Sequence, residues 1–234
     1  MNDSQKNKGE IHEPNFSGRI MTLQEGVVQF NLTFTPTEPL PAAVLSSLNA
    51  WRQILYRLGL IGQDPKRYGG LGFGNISIRM DSENAASFII SGTQTGGMDR
   101  LFPEHYSLVK AFDAAANSIV AEGVVRPSSE SLTHGSLYRL DRRIGAVIHA
   151  HSPEIWTQAD SIGIPVTRRD AAYGTPEMAE EVCRLFQNTP VSVLKIFAMG
   201  GHEDGLVAFG GSMEQAGLIL VRYLAVATAG VVTQ

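Results

Sequence analysis

Residues 146–153 read AVIHAHSP, two histidines one residue apart in an apolar run closed by a proline. Side chains alternate faces along a β-strand, so His149 and His151 share one face while Ile148 and Ala150 occupy the other. Pro153 has no backbone donor and ends the strand, which puts both rings at a sheet end where a ligand can enter. Two charged rings that close would repel, and two neutral rings in a core would each need a partner. Hydrogen-bonded packing histidines are one reading and a shared metal ion is the other. A third ligand separates them.

Few histidines are available for that role. His12 lies in the polar start of the chain, and His105 follows Pro103 and Glu104 in the first turn of a predicted helix. His202, in MGGHEDG (residues 199–205), sits in a loop between two predicted strands, from which a side chain can reach a neighbouring strand end. Three imidazoles with one open position make up a catalytic zinc site, whereas a closed structural site would want a fourth ligand, usually cysteine. The single cysteine, Cys183, stands in the helical pattern MAEEVCRLF and reads as a packing residue that forms no internal disulfide. The binuclear hydrolase pattern H-x-H-x-D-H fails, because Pro153 and Glu154 stand where Asp and His are required.

Upstream of the histidine strand, RPSSESLTHGSLYRL (residues 126–140) predicts a helix that Ser128 or Ser129 caps, with Glu130 in its first turn. Such an acid favours the helix dipole, but a helix start is also an anion site, and a carboxylate there could act as acid and base on a metal-bound substrate. His134, four residues on, shares the face of Glu130 and reads as a supporting or packing residue rather than a ligand. Two glycine loops, GFGNIS (72–77) and SGTQTGGM (91–98), allow close backbone approach. With Asn75, Ser91, Thr93 and Thr95 they could cradle a phosphate or polyol together with Ser128 and Ser129.

Further out, Val28, Phe30, Leu32 and Phe34 alternate as an appended edge strand would, and Val44, Leu48, Trp51, Leu55 and Leu58 trace an amphipathic helix that stops near Gly59. NISIRM and ASFIIS read as strands, 103–121 as a helix, 153–160 and 175–188 as helices, VSVLKIF and GLVAFG as strands, and MEQAGLILVRYLAVAT as a closing helix. Strands and helices interleave without repeats, which predicts an α/β fold: a flexible tail over residues 1–20, then a single domain over 21–234. A chain of 234 residues with 43% hydrophobic side chains can bury such a core. A net charge of −4 without a basic run argues against nucleic acid or an anionic membrane as partner. No stretch approaches the roughly 18 apolar residues of a membrane span, and the start MNDSQKNKGE lacks the apolar region of a signal peptide, so the expected location is cytoplasmic.

In order, GNIS, the SGTQTG loop, PSSE with His134 beyond it, AVIHAHSP and GGHEDGLVAFG resemble the class II aldolase/adducin family over about residues 40–230. The resemblance implies a three-layer α/β/α sandwich around a largely antiparallel central sheet, in a homotetramer with the active site at a subunit boundary. It implies zinc, or another divalent metal, on His149, His151 and His202, with Glu130 as the acid/base carboxylate. Asn75, Thr95, Gly96, Ser128 and Ser129 match the positions that hold substrate phosphate. The implied activity is that of an aldolase cleaving a small sugar or sugar phosphate through an enediolate. A sugar-phosphate dehydratase, or an adducin-like interaction module without catalysis, is the alternative. The family's epimerases usually carry Asp where Glu130 stands, which favours aldolase or dehydratase chemistry. Arg169 replaces the tyrosine expected of an aldolase, with Tyr173 a substitute, and Glu203 and Asp204 add two acids beside the third histidine.

Overall fold

Apolar alternation at the start of the chain does build an edge strand, β1 (Asn31–Pro36), whose Leu32 and Phe34 pack inward with Phe30 just before them. The computed structural model describes residues 28–80 and 87–231; the expected flexible tail lies outside them. Helix α1 (Ser46–Arg57) buries Leu48 and Leu55, as its spacing predicts, and the chain leaves it through Gly59 at φ 71°. Next come β2 (Gly62–Gln63) and β3 (Gly72–Phe73), which pair with each other, then β4 (Asn75–Arg79) and β5 (Phe88–Ser91).

The predicted helix over 103–121 is not formed. After a short 3-10 turn that contains His105, that segment is a hairpin of β6 (Tyr106–Asp113) and β7 (Ser118–Gly123). Ala114, Ala115 and Ala116 sit in its turn, where Asp113 Oδ1 accepts from the Ala115 and Ala116 amides at 2.9 and 3.1 Å and Asn117 takes a left-handed φ of 48°. Asp and Asn favour such turns through short local hydrogen bonds. A bulge between Val109 and Ala111 breaks the alternation that would have announced the strand.

Helix α2 (Ser131–Leu140) and strand β8 (Ala146–His151) follow as expected. Helix α3 covers only Pro153–Trp156, capped by the Ser152 hydroxyl on the Ile155 amide, and the remainder of the predicted 153–160 helix is turns. Helix α4 (Pro176–Asn188) matches its prediction and carries the half-buried Cys183. VSVLKIF is divided rather than one strand: a single turn, α5 (Val191–Leu194), ends at Lys195 with φ 58°, and β9 (Ile196–Ala198) begins after it. Strand β10 (Gly205–Gly210) and α6 (Met213–Val231) complete the described chain.

Among the described residues, eight strands form one sheet in the order β1-β7-β6-β5-β4-β8-β10-β9, antiparallel at every pairing except β1 with β7. Helices α1, α3 and α6 cover one face and α2 and α4 the other, giving the three-layer α/β/α sandwich. Each face has its own core, and β8 serves both. Ile148 and Ala150 pack with Leu48, Leu55 and Leu220 on one side, and Val147 packs with Leu132, Met178 and Val182 on the other. His149 and His151 therefore face the α2/α4 layer from the interior of the sheet, as the two-residue period requires.

Candidate metal centre and anion cleft

Register fixes what surrounds the two histidines. Across β8, His149 stands opposite Asn75 of β4 and Val207 of β10, and His151 stands opposite Gly205. The turn before β10 carries His202 back over the sheet end, and the candidate ligand atoms of His149, His151 and His202 all lie within 4.8 Å of one another. All three rings are buried. His149 Nδ1 is 3.1 Å from the Leu206 carbonyl, which can only accept, so Nδ1 carries the proton and Nε2 keeps its lone pair. That Nε2 faces His151 Nε2 at 3.1 Å.

Burial first, then the neighbouring His202, His149 and Arg67, hold His151 well below its ordinary pKa, so it is neutral near pH 7. Its Nδ1 is buried with no hydrogen-bond partner, unlike a satisfied packing histidine. Three close imidazoles, with no cysteine or carboxylate among them, are a donor set suited to a divalent ion that keeps a position open.

Glu130 occupies the N-cap position of α2, one residue earlier in the helix than the sequence suggests. Ser128 Oγ instead accepts from the Glu130 amide at 3.3 Å, so neither serine caps the helix as predicted. The carboxylate is 1% exposed; Oε2 accepts from the Thr133 hydroxyl at 2.9 Å and Oε1 lies 3.5 Å from His202 Nδ1. Burial pushes this carboxyl up, but His149, His202 and the Thr133 hydroxyl outweigh it and hold it below the usual carboxylate range.

His134 does not join the cluster as a ligand. Its Nδ1 meets Ser77 Oγ at 2.7 Å, and the same hydroxyl meets Tyr138 OH at 2.7 Å. Burial lowers its pKa to about 3, against the attraction of Glu130. The unfolded chain therefore takes up this proton below about pH 6.5 while the folded chain refuses it until about pH 3, so stability falls with falling pH across that window. Replacing His134 by glutamine is expected to reduce the acid-side slope of unfolding free energy against pH by about one proton. Urea titrations between pH 7 and 4 measure it, and an unchanged slope would contradict the assignment.

The five residues matched to phosphate binding, Asn75, Thr95, Gly96, Ser128 and Ser129, line one narrow cleft. Gly74, at φ 78°, turns the chain into Asn75, and a Cβ there would lie 3.1 Å from the His149 carbonyl. Gly96 is pressed so closely to β3 that a Cβ would stand 2.5 Å from Phe73 N and O. Thr93 also lines the cleft, but the Ser91 hydroxyl, grouped with it from sequence, is used by the Ile76 amide at 3.2 Å.

Tyr68 and Arg67 escaped the sequence reading. The Tyr68 hydroxyl donates to Asp204 Oδ2 at 2.7 Å, Arg67 pairs with the same oxygen at 2.7 Å, and the Tyr68 ring sits 4.6 Å from that of His151. Asp204 is thus answered by a cation rather than left as a free acid beside His202; Glu203 is exposed. The signal available in sequence was YGG, a turn that holds Tyr68 at φ 50° and Gly69 at φ 66°. Tyr173, the expected substitute for the missing aldolase tyrosine, places its ring 4.8 Å from His202, whereas Arg169 is exposed.

Comparison with known proteins agrees with this architecture. The family described as Class II Aldolase and Adducin N-terminal domain matches residues 65–228. A methylthioribulose-1-phosphate dehydratase of Xanthomonas euvesicatoria is 40% identical over 79 residues, 34% of this chain and 32% of that protein. Its counterpart in Stenotrophomonas maltophilia is 34% identical over 125 residues, 49% of this chain and 54% of that one. The chain thus spans about a third to a half of the length of these curated relatives. Among solved structures, the L-fuculose-1-phosphate aldolase of Thermus thermophilus superposes with a TM-score of 0.60 at 18% identity, covering 82% of this chain and 95% of that one. A sugar-phosphate aldolase of Thermotoga maritima gives 0.52 at 16% identity, over 79% and 96%. At such identities the superpositions establish a shared fold, and the matched residues establish kinship: the chain belongs to the class II aldolase and adducin family.

Proposed function

We propose that the protein is a metal-dependent lyase that takes a small hydroxy-ketone, a sugar phosphate, through its enediolate form. The observation that carries this reading is the buried Glu130 carboxylate, 3.5 Å from one of three convergent imidazoles, next to a polar cleft at the start of α2. His149, His151 and His202 would hold zinc or another divalent ion, which when bound supplies Lewis acidity to the substrate's ketone oxygen. Asn75, Thr95, Gly96, Ser128 and Ser129 would seat the phosphate. Glu130 would move the proton on the carbon beside the ketone.

That proton has two uses. In retro-aldol cleavage Glu130 takes the proton of the β-hydroxyl, the carbon–carbon bond breaks, an aldehyde leaves, and Glu130 returns the proton to the enediolate carbon. In dehydration Glu130 takes the proton from that carbon and gives it to the β-hydroxyl, which leaves as water as the carbon–carbon double bond forms. The ordered motifs suggested the aldolase; the names of the sequence relatives favour the dehydratase. A module without catalysis is the weaker reading, since the ligand set and the carboxylate are brought together.

We assign the domain to residues 21–234 after a tail at 1–20, and the assembly to a cytoplasmic homotetramer. No helix among the described residues is long and apolar enough to cross a membrane. Zinc at about a hundredfold excess over its Kd should raise the unfolding free energy by about 2.7 kcal/mol over the chelated chain, read by thermal or urea unfolding.

The deciding experiment incubates zinc-loaded protein with methylthioribulose 1-phosphate, and separately with dihydroxyacetone phosphate in heavy water, both followed by NMR. Loss of water from the first assigns the dehydratase. Stereospecific exchange of the carbon-bound proton in the second assigns the aldolase. Neither, with zinc confirmed in the site, would overturn the sugar-phosphate reading.

A further inference from the structure

The anion cleft contains no cation. Among its lining residues, which include Asn75, Thr93, Gln94, Ser128 and Ser129, there is neither lysine nor arginine. A phosphate carries about two negative charges, and hydroxyls and amides alone seldom balance them in a partly buried place. The missing charge stands behind the loop.

Arg52, on α1, is 2% exposed, and its Nη2 donates to the Thr95 carbonyl at 3.0 Å and to the Gly96 carbonyl at 2.9 Å. Tyr56, one helical turn on, donates to the Gly97 carbonyl at 3.3 Å, and its ring lies 5.1 Å from the Arg52 guanidinium carbon. No carboxylate among the described residues forms an ion pair with Arg52, and its buried Nη1 has no hydrogen-bond partner. Asp99, which borders the same surface hollow, is felt only weakly. A buried, unpaired cation is costly, and fold stability gains little from placing one behind a loop that an apolar side chain could also support.

We propose that Arg52 is the positioning residue that makes the cleft selective for a dianionic, phosphorylated substrate. A trans peptide points its N–H away from its carbonyl. Drawing the Thr95 and Gly96 carbonyls onto α1 therefore turns the Gly96 and Gly97 amides to the opposite side, while the full positive charge acts through these aligned dipoles from a region of low dielectric. This inference rests on the reading of the cleft as the phosphate site.

Inorganic phosphate is the probe, titrated calorimetrically into the full-length zinc-loaded protein at fixed ionic strength. Ser128→Ala combined with Ser129→Ala reports whether the bound phosphate lies in the cleft; Arg52→Gln removes the charge but keeps a donor; Arg52→Lys keeps the charge. The expected result is binding by the native chain, weakening in the serine variant, weakening of about tenfold or more in Arg52→Gln, and recovery of most of that loss in Arg52→Lys. Native-strength binding by folded Arg52→Gln would overturn the inference and leave the cleft reading intact. Equal losses in both Arg52 variants would also overturn it, because shape rather than charge would then be what the loop needs. Phosphate binding that is absent, or indifferent to the serines, would remove the cleft reading itself. Should Arg52→Gln fail to fold, folded Arg52→Lys decides: near-native phosphate affinity supports the inference and a tenfold loss overturns it.

Discussion

His151→Ala is expected to leave a folded protein that no longer retains zinc through desalting and turns over substrate on the order of a thousandfold more slowly than the native chain. The ring is buried, its Nε2 lies 3.1 Å from His149 Nε2, and its centroid is 4.9 Å from that of His149 and 4.7 Å from that of His202. Removing it leaves two imidazoles, too few to fix a divalent ion against water. A thousandfold loss corresponds to about 4 kcal/mol of transition-state stabilisation, within what a Lewis acid at a ketone oxygen supplies. The fold should survive, because the apolar residues of β8 that anchor both cores, Val147 and Ile148, are untouched. Metal analysis and turnover on the same preparation check the pair of outcomes. Loss of metal with full activity would sink the proposed mechanism.

Glu130→Gln is expected to separate metal binding from catalysis: zinc retained, and turnover reduced by about a hundredfold to ten-thousandfold. Glutamine fills the same buried space and can still accept from the Thr133 hydroxyl, which donates to Oε2 at 2.9 Å in the native chain. It can neither take nor return a proton. Because Glu130 lies against His202 without belonging to the cluster of candidate ligands, affinity for zinc should change far less than rate. Retention of both zinc and full turnover would remove the acid/base role, and loss of zinc would make Glu130 a ligand or its support instead.

The helices with clean apolar periodicity, α1, α4 and α6, were legible in the sequence, as was β8, because burial on one face or both leaves a pattern within the segment itself. The β6–β7 hairpin was not. Alanine is the best helix former, but intrinsic propensity yields readily to tertiary context, and here it yielded to an Asp/Asn turn and to pairing with β5 on one side and β1 on the other. The Arg67–Tyr68–Asp204 contact was invisible for a different reason: its partners lie 137 and 136 residues apart, and nothing local marks them as neighbours.

What the sequence determined by itself was local. It specified the face shared by His149 and His151, the start of α2 near Glu130, the glycine loops, and an ordered set of motifs sufficient to identify the family. The first three follow from periodicity or backbone freedom within a few residues, and the family from the resemblance of the motifs in their order. Only the tertiary structure decided which distant groups meet. Antiparallel pairing of β8 with β4 and β10 sets Asn75 opposite His149 and brings the His202 turn over the same sheet end. The packing of α1 behind the 92–97 loop places Arg52 against the Thr95 and Gly96 carbonyls. The physical reason is that register and layer packing are settled by the burial of whole faces, a property of the assembled sheet and helices that no single stretch of the chain contains.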